Sequence, residues 1–161
     1  MNTSPERDQL SADEIIARAA EQLKIYEGKN LLERVGLFMA KVQLFENNLK
    51  NLLVEKSNYD RETIDGWALG RVKNELKTVG LRKDFIALLE NFIPYRNHIA
   101  HELLANEVML RELVGESGRL EERNIEHGAF ELEQLMIIYD FMEENGGAWT
   151  ETELEARNEQ G

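Results

Sequence analysis

The chain of 161 residues contains no cysteine. That removes disulfides, thiolate nucleophiles and cysteine-ligated zinc from consideration. Proline occurs only twice, and such a shortage suits long helices. No long apolar run exists. The longest lies around residues 135–139, far short of the ~20 residues a membrane helix needs. The opening MNTSPERDQL is polar with no apolar stretch behind it, so no secretory signal and no membrane partner are expected. A reducing cytoplasm is the expected location. The glycines are scattered, and none builds a phosphate-cradling loop behind a strand. Histidine is scarce too: three in all, two of them in the stretch YRNHIAHE at 95–102.

Basic charge is also in deficit. The net charge is −12, which argues against a broad nucleic-acid-binding surface. Its distribution is uneven. Residues 121–161 hold twelve acids and two bases, whereas residues 1–120 hold nineteen acids and seventeen bases. The acidity therefore gathers at the C-terminal end of a nearly neutral body. Between Arg71 and Lys83 the balance reverses, with Arg71, Lys73, Lys77, Arg82 and Lys83 against Glu75 alone. This patch is a candidate RNA contact. Its plain alternative is a solvated helix face.

What the chain does have is helical periodicity, with 42% hydrophobic residues and abundant Leu, Glu, Lys, Arg and Ala. These point to one all-α domain, large enough for its own core. Ser11 and Glu14 have the spacing of a capping box, with Leu10 and Ile15 as an accompanying staple. They open a first helix that runs to about Tyr26 and stops at Gly28. Asn30 caps a second helix reaching about Lys56. In it Leu31, Val35, Phe38, Val42, Phe45, Leu49 and Leu52 recur at steps of four and three, one apolar stripe along its length. A third helix is expected from about Thr63 to Val79, weakened at Gly66 and Gly70 and ended by Gly80. A fourth starts near Leu81 or Arg82 and runs to roughly Leu113, bent near Pro94. Gly115, Gly118 and Gly128 bracket a polar loop with room for a short hairpin. A last main helix spans about Phe130 to Glu144. The sum is an up-and-down helical bundle of four to five main helices over residues 11–144, with an N-terminal segment 1–10 and an acidic tail 145–161.

The fourth helix carries its own stripe: Phe85, Leu89, Phe92, position 96, Ile99 and Leu103. Arginine stands at position 96, where the pattern asks for Leu or Ile. An arginine facing a core or an interface needs an acceptor, because an unpaired buried charge is costly. Glu46, Glu90 and Glu102 are the candidates. Glu46 adjoins the stripe residue Phe45, and Asn47 and Asn48 follow it. Asn97 and His101 are four apart and share a helix face. Arg96 and His101 are five apart, ~140° around a helix of ~100° per residue. For them to converge, either the backbone near Pro94 must distort or a second copy of the chain must share the site.

The string Arg96-Asn97-His98-Ile99-Ala100-His101 resembles the signature of the HEPN superfamily: Arg, four to six residues, then His, with a polar residue such as Asn after the Arg. The resemblance extends over approximately residues 11–144. It implies a homodimer with the active site in a cleft between protomers. It also implies a metal-independent endoribonuclease without cofactors, often a toxin or phage-defence effector neutralised by an antitoxin protein. By position, His101 would carry out acid–base chemistry and Arg96 would bind the scissile phosphate. Asn97 would orient the phosphate or the histidine. Glu46 matches the acidic residue such proteins often place on a neighbouring helix, and His98 is a weaker support candidate. Position 103 is Leu, where some toxin members carry a modifiable Tyr. HEPN domains without catalysis also exist, so a dimerisation, nucleotide- or partner-binding module is the competing expectation. Each residue also has a structural reading. Arg96 can serve as a packing ion pair, and His98 as a surface polar group. His127 is expected in solvent, and Trp67 and Trp149 in packing. His98 and His101 lack a third ligand in an obvious metal-binding pattern.

Overall fold

The computed structural model describes residues 10–114 and 119–146. Among them it contains α1 (Ala12–Leu23), a 3-10 turn (Lys24–Tyr26), α2 (Leu31–Lys56), α3 (Arg61–Asp65), α4 (Leu69–Thr78), α5 (Lys83–His101), α6 (Leu103–Val114) and α7 (Arg119–Asn145). The protein is an all-α bundle. None of its described helices is long and apolar enough to cross a membrane. The acidic tail from residue 147 onward, Trp149 included, lies outside the described residues.

The first two helices begin where their caps require. Ser11 Oγ accepts from the Glu14 backbone N–H at 3.2 Å, and the Ser11 N–H donates back to Glu14 Oε2 at 3.0 Å. Both orphan donors of the turn are thereby satisfied. Gly28 then takes a φ of +72°, which reverses the chain at no steric cost. Asn30 Oδ1 accepts from the Glu33 N–H at 2.9 Å and starts α2. The α2 stripe is buried from Val35 through Leu52, with Leu31 partly covered at its start.

The other helices depart from expectation in three places. The third helix is split. Asp60 caps α3 through the Thr63 N–H, Gly66 ends it, and α4 restarts after Ala68. The interruption lets Ile64 and Leu69 both reach the core, while Trp67 folds against Tyr59 with ring centroids 4.9 Å apart. The fourth helix is also split, and not at Pro94. Helix α5 continues through Pro94 to His101 and stops at Glu102, whose φ of −121° leaves the helical range. The third departure is the expected loop. Residues 119–128 are helical, so α7 begins well before Phe130; residues 115–118 are outside the described set.

Gly128 explains the last difference. It is buried within α7. A Cβ there would lie 2.7 Å from Ile99 Cδ1, 3.4 Å from Tyr95 Cβ and 3.6 Å from Phe38 Cε2. This glycine ends nothing. It lets α7 approach α5 beside the RNHIAH segment. Helix α7 packs against α1, α2 and α5. Its Leu132, Leu135, Tyr139 and Met142 are buried, with Met136 packed at their edge. Phe45 stands at the centre, within 6.3–6.4 Å of the rings of Phe85, Phe92 and Tyr139.

Candidate active site

The site is built on the C-terminal half of α5, with α2 on one side and α7 on the other. Every α5 stripe residue is buried to 2% exposure or less except Arg96, whose side chain is 20% exposed. Arg96 Nε donates to Glu46 Oε1 on α2 at 2.7 Å, and the Glu46 side chain is 15% exposed. The acceptor that a stripe arginine needs is therefore present. The arginine also donates from Nη1 to Asn97 Oδ1 at 3.4 Å. A guanidinium carries five N–H donors. Its other N–H groups have no partner among the described residues, and the side chain as a whole is 20% exposed.

Asn97 and His101 are both exposed. They lie on one face of α5, four residues apart. Because α5 is helical from Arg96 to His101, the ~140° between those two positions persists. Pro94 lies inside α5, two residues before Arg96, and the helix runs unbroken from Arg96 to His101.

His98 is placed differently from both. Its ring reaches Glu102 Oε2 through Nδ1 at 3.3 Å and Glu121 Oε2 through Nε2 at 2.9 Å, with Asn124 Nδ2 3.3 Å from Nε2. Glu121 is 3% exposed and lies in the first turn of α7, where the helix dipole favours a carboxylate. Burial of the imidazole disfavours its charged form. Hydrogen bonds and attraction from Glu121 and Glu102 outweigh that, and the His98 pKa is raised above its ordinary value. Sequence periodicity could not find this contact, since the two residues are 23 apart and on different helices. The polarity of the first α7 turn was its only sequence signal.

The remaining candidates are dispersed. Asn47 does not join Arg96: its side chain and backbone carbonyl accept from Arg61, which also bonds Asn51 and Asp65. The Asn48 carbonyl accepts from Tyr139 Oη at 3.4 Å. In the basic segment, Arg71 lies 3.9 Å over the Trp67 ring, Lys73 and Lys77 reach Glu90 at 3.4 and 3.5 Å, and Arg82 pairs with Asp84 at 2.5 Å. Lys83 is exposed. Hydrogen bonding to Lys73, with attraction from Lys77, holds the Glu90 carboxyl below its usual range. Most of the patch is thus engaged within the chain. His127 is on α7 rather than in a loop, stacked on Tyr95 with centroids 4.6 Å apart. A separate cleft lined by Leu23, Tyr26, Arg34, Ile125, Glu126 and Ala129 shares no residue with the motif. No group of three or more His, Cys, Asp or Glu among the described residues could hold a metal ion.

No family model matches the chain, and neither the curated proteins nor the solved structures give a match.

Proposed function

We propose that this chain is an HEPN-like endoribonuclease that works as a homodimer and needs no metal ion. One observation carries the reading. Arg96 occupies a core-stripe position, is held there through Nε by Glu46, and keeps N–H groups for a phosphate. Asn97 is exposed beside it, and His101 is exposed on the same helix, ~140° around from Arg96. In the reaction the ribose 2′-oxygen attacks the adjacent phosphorus. The O2′–P bond forms, the P–O5′ bond breaks, and the products are a 2′,3′-cyclic phosphate and a 5′-hydroxyl. His101 takes the 2′ proton or gives one to the leaving oxygen, and Arg96 neutralises the charge gathering on phosphorus. A second copy supplies the remaining acid–base group, consistent with the angular gap between Arg96 and His101. Helix α6 offers that copy an exposed apolar face in Leu104, Val108 and Met109, beginning two residues after Glu102. The biological role on this reading is a toxin or phage-defence effector acting in the cytoplasm and neutralised by an antitoxin protein.

The test is cleavage of RNA in EDTA. Arg96→Ala and His101→Ala each lose cleavage while keeping helical content and the dimer. Persistent cleavage by His101→Ala overturns the reading.

A second reading has its own support. Arg96 is already ion-paired, and most bases between Arg71 and Arg82 are engaged within the chain. Such a chain suits a non-catalytic dimerisation, nucleotide- or partner-binding module. On that reading wild-type protein cleaves no RNA, and Arg96→Ala weakens the dimer or the fold itself.

A further inference from the structure

His98 is less exposed than Asn97 and His101 and has the most complete set of partners in the motif. It spans from α5 to Glu121, one of three buried acids among the described residues. The other two have cations: Lys41 pairs with Glu133, and Arg111 with Glu107 at 3.0 Å. Glu121 has only His98 as a charged partner among the described residues. A buried carboxylate whose one cationic partner is an imidazole has that charge compensation only while the imidazole is protonated, the helix dipole and a neutral-ring hydrogen bond being the weaker support that remains. The groups meeting the ring are Glu121 and Asn124 from α7 and Glu102 from the end of α5 itself. From α6, the buried Glu107 turns to Arg111 instead.

The ring also sits at a consequential place. Glu102 is the residue at which α5 stops, its N–H donating to the His98 carbonyl at 2.8 Å. Its carboxylate is held by the same imidazole that grips α7. One side chain therefore ties together the end of α5, the break before α6 and the first turn of α7.

We propose that His98, Glu121 and Glu102 form a latch that fixes the α5–α6 break against α7, holding His101 and the α6 face in position while the imidazole carries its proton. Nothing in this latch requires RNA chemistry. Only its effect on His101 as a nuclease group rests on the function proposed above. His98 is a positioning residue on this account.

The sign of the pH dependence follows from the raised imidazole value. The latch is fully closed below the unfolded imidazole value of ~6.5. It opens as pH rises through the higher folded value, where Glu121 loses its cation.

The experiment needs no substrate. The His98 ring is titrated by NMR in the wild-type chain, and amide-exchange protection factors are followed over the same pH range. His98 is expected to titrate above ~6.5. Protection at Leu103–Asn106 is expected to fall several-fold as pH passes the His98 midpoint, while protection at Phe45 and Leu49 holds. Glu121→Gln keeps the shape but removes the charge. It should lower the midpoint and remove the pH dependence at Leu103–Asn106, and His127→Gln should change neither. The proposal is overturned if wild-type His98 titrates at or below the ordinary value. It is equally overturned if protection at the break ignores the His98 midpoint, or if His127→Gln abolishes the transition. Should Glu121→Gln fail to fold, the two wild-type curves still decide. If they agree with the latch while no RNA is cleaved, the latch stands and the nuclease reading falls.

Discussion

Two ends of one six-residue segment are held by different physics. At Arg96, α5 meets α2 in an aromatic seam, and one ion pair with Glu46 is set among fully buried phenylalanines. At His98 to Glu102, α5 meets the start of α7 through side-chain polar contacts, and α6 departs with an exposed apolar face. The seam combines a permanently charged arginine with packing. The far end depends on a group whose charge changes near neutral pH. A segment anchored by a permanent charge at Arg96 and by an imidazole at His98 can keep its first end fixed while the end that bears His101 is adjusted.

The strongest way to break this contrast is to force α7 off the seam. Gly128→Ala adds one methyl that meets the movable Ile99 Cδ1 and gains helix propensity of about 1 kcal/mol, so its net effect is small. Gly128→Leu must drive into Tyr95 and Phe38. It should cost about 3 kcal/mol, read from urea unfolding. Next in size is Glu46→Gln. It leaves the Arg96 guanidinium at 20% exposure without its carboxylate, and should cost about 1.5–3 kcal/mol in the same measurement.

His98→Gln should cost about 1 kcal/mol or less, because the ring is 26% exposed. The diagnostic is its pH dependence. The loss should be present in mildly acidic solution and vanish as pH rises through the raised folded value of His98. A loss of equal size at all pH values would place His98 with the seam instead. Leu104→Ser with Val108→Ser should change unfolding free energy by only about 0.5 kcal/mol, since both side chains are exposed. The same pair should weaken self-association in sedimentation. If association is unaffected, α6 is not the dimer face.

The seam was legible in the sequence and the polar end was not, for physical reasons. Apolar residues at helical spacing along α2 and α5 announce burial, and an arginine interrupting that spacing announces a partner. Glu46 could be named because it adjoins Phe45 on the neighbouring stripe. The caps at Ser11 and Asn30 were legible because their partners are three residues away. The breaks were not. Gly66 weakened a helix on paper, but only tertiary packing of Ile64 and Leu69 turned weakness into an interruption. The helix expected to run to about Leu113 stops instead at Glu102, where His98 holds the carboxylate. In the sequence Gly128 marks a loop boundary, because glycine is a poor helix former, whereas its use is close contact between two helices. The His98–Glu121 pair links residues far apart in the chain, beyond the reach of any local pattern.

The central claim is that Arg96 and His101 cut RNA without a metal. It is tested most directly by incubating wild-type protein and His101→Ala with a mixed-sequence RNA in EDTA and identifying the 3′ ends. The account predicts 2′,3′-cyclic phosphate ends from the wild type, falling by about 100-fold or more in the variant, with helical content and dimer unchanged. Absence of cleavage by the wild type, or equal cleavage by the variant, would contradict it.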